Sequence, residues 1–107
     1  MGQTLYQYKD EGISIHVEAY FENDKLVVSG YDIGKRVEEY WGDSDYEYTS
    51  TVEAEGVSKL YPLLSVPPDA EALLVALAEK FNTNTCYSEY QSFLEQHGIK
   101  YQGFSWM

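Results

Sequence analysis

The sequence predicts an α+β fold: an antiparallel sheet of about five strands, an N-terminal meander plus a C-terminal strand, with three to four helices packed mainly on one face. Apolar residues alternate with polar ones through most of residues 5–53, recur at helical spacing from 57 to 94, and alternate again from 100 to 106. Strands are therefore segregated from helices along the chain, which favours an α+β layer over alternating βαβ units. The chain of 107 residues is 44% hydrophobic, with 11 Tyr, 4 Phe and 2 Trp. Disordered chains lack that aromatic content, and the length suits one core, so residues 1–107 read as a single domain.

Each element has its own signal. In residues 13–21 every odd position is apolar and the even ones are mostly polar, the pattern of a strand with one face on a core. Shorter runs at 5–8 and 25–31 flank it, divided from it by the turn sequences Lys9-Asp10-Glu11-Gly12 and Glu22-Asn23-Asp24. Val37, Tyr40 and Trp41 stand at i, i+3 and i+4, which predicts a short helix over 34–42 closed by Gly42. Residues 46–53 alternate Tyr46, Tyr48, Ser50 and Val52 against Glu47, Thr49, Thr51 and Glu53, a fourth strand.

From Val57 the period becomes helical. Val57, Leu60, Tyr61 and Leu64 form one stripe, and Leu73, Leu74, Leu77, Ala78 and Phe81 form a second, after Pro67-Pro68. A third runs through Cys86, Tyr90, Phe93 and Leu94, with Thr83 to Thr85 as capping residues. Gly98 can adopt the left-handed conformation that ends this helix, letting Ile99 pack back onto Leu94. Residues 100–106 then return as the last strand.

Charge limits the classes of partner. Acidic residues number 18 against 7 basic ones, a formal net charge of −11, and so negative a surface repels phosphate backbones and anionic headgroups. Direct nucleic-acid or membrane binding is not expected. The imbalance is uneven: residues 1–56 carry 13 acids and 4 bases, whereas 57–107 carry 5 and 3. Cys86 is the only cysteine, so no internal disulfide can form, and its helical stripe makes it a small core residue. Residues 1–12 contain no apolar stretch long enough for a signal peptide, and the expected compartment is the cytoplasm.

Motifs that would carry catalysis are missing. One Cys and two His, His16 and His97, supply no zinc spacing. No nucleophile elbow and no phosphate-cradling glycine motif occurs, and nothing calls for a cofactor. Asp43-Ser44-Asp45 begins like a calcium loop, but Tyr48 stands where that loop needs glycine and Ala54 where it needs its last carboxylate. The chain is expected not to be an enzyme.

One segment stands out. Glu38, Glu39, Tyr40, Trp41, Asp43, Asp45, Tyr46, Glu47 and Tyr48 interleave five carboxylates with four large aromatics, and no Lys or Arg occurs from Val37 to Gly56. Tyr and Trp dominate protein interfaces, and carboxylates facing cations set on-rate and specificity, so these nine residues form a candidate docking site for a basic protein. They can equally be read as aromatics filling the core between the short helix and the sheet, with the acids solvated.

Ser29-Gly30-Tyr31-Asp32-Ile33-Gly34, the run from Val37 to Tyr48 with its Trp-Gly-Asp-Ser-Asp-Tyr-Glu-Tyr, and the C-terminal residues from Phe93-Leu94 through His97-Gly98-Ile99 to Phe104-Ser105-Trp106 resemble a group of small bacterial proteins. That group includes immunity proteins of contact-dependent growth inhibition and related polymorphic toxin systems. The likeness covers under half the chain and departs at residue 31, Tyr in place of Gln. It implies a cytoplasmic antitoxin that binds and neutralises the C-terminal toxin domain of a delivered effector, often a nuclease (an RNase acting on tRNA, or a DNase), with the nine residues above meeting the toxin. Nucleases that grip phosphates are commonly basic, which suits an inhibitor at −11. The competing readings are a non-catalytic adaptor or structural subunit of an unrelated complex, and a small acid/base enzyme.

Overall fold

The computed structural model describes residues 2–9, 13–34, 45–83 and 85–106; at 13, 33, 45, 46 and 106 it describes the backbone alone. Strands β1 (Gly2–Lys9), β2 (Ile13–Glu22), β3 (Lys25–Gly34) and β4 (Asp45–Val52) come first. Helices α1 (Ala54–Leu63), α2 (Ala70–Lys80) and α3 (Cys86–Gln96) follow, and then β5 (Gln102–Trp106). The strands form one sheet in the order β1-β2-β3-β4-β5, and every neighbouring pair is antiparallel. The α+β fold expected from the sequence is the one observed.

Local chemistry explains most boundaries. Asn23 and Asp24 both take positive φ, 50° and 66°, the two-residue hairpin turn whose twist matches that of its strands, and Glu22 pairs with Lys25 across it. Asp69 caps α2 by accepting from the Ala72 amide at 3.0 Å. At the end of α3, Gly98 has φ 68°, the Ile99 amide donates to the Leu94 carbonyl and the Gly98 amide to that of Glu95. This is the Schellman arrangement, and Ile99 joins Leu94 in the core. α1 ends the same way with Ser65 as the left-handed residue at φ 57°, Val66 donating to Tyr61 and Ser65 to Pro62.

Three expectations change. β1 and β3 are longer than their apolar runs because pairing with β2 extends them. Thr83 and Thr85 do not cap α3 through their side chains; both hydroxyls donate to Glu89 Oε1, at 2.9 and 3.0 Å. Finally, β3 runs on to Gly34 where the short helix was expected to start, and the rest of that helix lies outside the described residues.

The core sits between one sheet face and the helices. Val17 and Ala19 of β2, Leu26 and Val28 of β3 and Val52 of β4 meet Val57 and Leu60 of α1, Leu73, Leu74 and Leu77 of α2, and Cys86, Tyr90 and Leu94 of α3. α1 lies over β3 and β4, and α2 over β1 and β2. α3 lies over β4 and β5, where Tyr87 meets Tyr48 and Gln91 approaches Gly103. No helix among the described residues is long and apolar enough to cross a membrane.

Candidate functional site

Two members of the acidic, aromatic segment, Glu47 and Tyr48, are described in full, and they do not share a surface. Glu38, Glu39, Tyr40, Trp41 and Asp43 lie outside the described residues. Asp45 and Tyr46 open β4, their backbones paired with Ile33 and Asp32 of β3. Glu47 and Tyr48 are described in full, and strand alternation sends them to opposite faces. Tyr48 turns toward the helices. Glu47 turns to the outer face, the side of the sheet away from them.

Tyr48 is held on three sides. Its hydroxyl donates to Asp32 Oδ1 at 3.0 Å, and its ring meets the Tyr87 ring edge to face, with centroids 4.5 Å apart. The same ring lies flat on Gly30, so close that a Cβ there would overlap Tyr48 Cε2 and Cζ. Gly30 pairs directly with Tyr48 across the ladder, and its lack of a side chain opens the space the ring fills. Sequence left Tyr48 open as a partner anchor or as an aromatic filling the core; the structure packs it against Gly30, Asp32 and Tyr87.

Titration in this region follows burial. Asp32 is raised above the ordinary carboxylate range by desolvation, and the Tyr48 hydrogen bond only partly offsets this. The Tyr48 hydroxyl is pushed far up, first by burial and then by the charge of Asp32. Burial likewise raises Tyr90 and lifts the Cys86 thiol to about 11. Cys86, 1% exposed, is therefore a protonated core thiol, not a nucleophile. Tyr90 Oη and Ser50 Oγ are buried with no hydrogen-bond partner among the described residues.

The outer face is built from rows that cross the sheet. One row runs Gln7, His16, Tyr31, Glu47; the next Thr4, Glu18, Ser29, Thr49, Phe104; the third Gly2, Tyr20, Val27, Thr51, Gln102. Glu22 and Lys25 continue it at the hairpin. Val27, only 7% exposed, anchors the centre, whereas Phe104 is 66% exposed. His16 stands 3.6 Å from Glu18, and Lys25 3.5 Å from Glu53. Exposed pairs of this kind are weak and screened by salt; Lys9, paired with Ser14, stands on the same face, so among the described side chains of these strands Glu18, Glu22 and Glu47 outnumber Lys9 and Lys25 by one. Two of these carboxylates act on Tyr20, whose hydroxyl is raised by burial and then by Glu22 and Glu18.

Two clefts flank the sheet and the helices. One, of about 550 Å³, is lined by Thr51, Glu53, Ile99, Lys100, Tyr101 and Gln102. The other, of about 380 Å³, lies between α2 and α3, where Lys80 Nζ sits 5.6 Å and 5.3 Å from the Phe81 and Phe93 ring centres. Among the described residues each is lined by a single carboxylate, Glu53 or Glu89. Among the described residues no group of three His, Cys, Asp or Glu is placed to hold a metal ion.

Sequence reading missed Glu18, Tyr20, Glu22 and Phe104 as members of a common surface. Their alternation was visible, but the register that sets them beside Glu47 was not. Comparison with protein-family models, with curated proteins and with solved structures finds no match to the chain.

Proposed function

We propose that this chain is a non-catalytic binding protein that captures a cationic protein domain on the outer face of its sheet. Its partner is the toxin domain of a contact-dependent growth inhibition or related polymorphic toxin effector, a basic nuclease, which it neutralises as an immunity protein in the cytoplasm. The observation that carries the reading is the composition of that face. Glu18, Glu22 and Glu47 share that face with Tyr20, Tyr31 and Phe104, beside Lys9 and Lys25, in a chain of net charge −11. Carboxylates there steer a cationic partner, and aromatics supply contact area at low entropic cost. Glu38, Glu39, Tyr40, Trp41, Asp43 and Asp45, next to Glu47 in sequence, extend the same proposed site.

The test is co-expression with the toxin domain encoded beside the gene, scored by growth rescue and by binding kinetics. Glu22→Lys combined with Glu47→Lys is expected to slow association about tenfold or more, with the wild-type rate falling as salt rises. Binding that ignores both salt and the two reversals removes the outer face as the site. Failure to rescue growth from any toxin, with a partner of another kind bound on this face, returns the chain to the adaptor reading.

A further inference from the structure

His16 stands in the middle of the outer face. It lies on β2 between Gln7 of β1 and Tyr31 of β3, with Ser14 and Glu18 beside it along its own strand. Its Nε2 is 3.6 Å from Glu18 Oε2. The other charged groups near it are few. Lys9 pairs with Ser14 one row away, and Glu47 lies in the same row as His16 beyond Tyr31, two strand spacings or about 10 Å off. Glu22 and Lys25 stand farther along, at the hairpin. Among the described side chains of these strands, three carboxylates therefore face two ammonium groups, a surplus of one negative charge.

So small a surplus puts the balance of the face under the control of one proton. Histidine is the side chain whose charge ordinarily changes between about pH 8 and pH 5, and the second histidine, His97, is far from this row, at the end of α3. We propose, resting on the capture of a cationic domain argued above, that His16 is a proton switch for that capture. Neutral, it leaves the surplus that steers the partner. Protonated, it cancels the surplus and slows encounter. The added charge arrives 3.6 Å from Glu18 and opposes that carboxylate directly. At low ionic strength, where the Debye length exceeds about 10 Å, it is felt at Glu47 as well. The sign follows: association is fastest above the histidine range and falls as pH drops through it, while the glutamates, which titrate lower, are still ionised.

Two variants bracket the switch: His16→Gln stays neutral and His16→Lys stays cationic, each with an unchanged circular dichroism spectrum. The first measurement holds no partner. Relaxation of the backbone protons of Gln7, Glu18 and Tyr31 by a cationic nitroxide is expected to fall in the wild type between about pH 7.5 and pH 5.5, to keep its neutral-pH value in His16→Gln, and to keep the acid value in His16→Lys. The second measures association with the toxin domain encoded beside the gene, at low salt, as a ratio to wild type, so that titration of the toxin cancels. His16→Gln is expected to match wild type at about pH 7.5 and to associate about two- to fourfold faster at about pH 5.5, whereas His16→Lys is slower by a similar factor at the higher pH and level at the lower. A nitroxide effect that follows pH equally in wild type and His16→Gln, or rate ratios that stay constant with pH, overturns the proposal. Reversal of Glu22 and Glu47 tests the site itself: if it leaves association unchanged, the proposed function fails at this face and the switch has no capture to regulate, while the nitroxide result still stands by itself.

Discussion

At the scale of single residues, Gly30, Asp32 and Tyr48 form one unit. The Tyr48 ring occupies the space where any side chain at position 30 would start, and overpacking of that kind typically costs 1–3 kcal/mol. Gly30→Ala is therefore expected to destabilise the fold by about 2 kcal/mol, read by chemical denaturation. Asp32 titrates the other way from most carboxylates. Its folded pKa is raised above the ordinary 3.8, so the folded state holds the proton more tightly than the unfolded one. Stability from this group is complete below 3.8 and is lost as pH climbs through the folded value. Asp32→Asn keeps an oxygen acceptor for the Tyr48 hydroxyl but cannot ionise. Its stability relative to wild type is expected to be level in acid and to increase toward neutral pH; a constant difference across that range defeats the assignment.

At the scale of elements, two helices end in the same geometry with different residues at the left-handed position. Gly98 occupies it after α3 at φ 68°, and Ser65 after α1 at φ 57°. The left-handed region costs an L side chain about 1–2 kcal/mol and glycine far less. A Cβ at Gly98 would meet nothing within 4 Å, so the cost there is purely conformational. Gly98→Ala is expected to lose about 1 kcal/mol, and Ser65→Gly to gain up to about 1 kcal/mol, both measured by thermal or chemical unfolding. The first was legible in sequence, because a glycine after an apolar stripe announces the stop. The second was not, since serine carries no such signal.

Across the whole molecule, the excess of acids acts on folding and on binding with opposite signs. Self-repulsion lowers the stability of the folded state, whereas the same field would attract the cationic partner proposed for it. Added sodium chloride is therefore expected to raise the melting temperature of the isolated chain by a few degrees and to slow its association with a basic partner. A melting temperature that falls or stays flat with salt shows that the carboxylates are too dispersed to repel. Register sets Glu18, Glu22 and Glu47 on the outer face. Glu18 comes from β2 and Glu47 from β4, with Ser29 and Tyr31 of β3 between them.

The sequence by itself determined the order of strands and helices, the hairpin at Asn23-Asp24, the stop at Gly98 and the burial of Cys86. Each of these depends on periodicity or on cap and turn chemistry among neighbours in the chain, which the residues state directly. Only the tertiary structure decided that Glu47 and Tyr48, adjacent in sequence, serve different faces, that the Tyr48 ring fills the space over Gly30, and that β5 closes one end of the strand order. Those facts come from pairing between residues far apart in the chain. A slip of one position in that register would exchange the faces of every side chain involved.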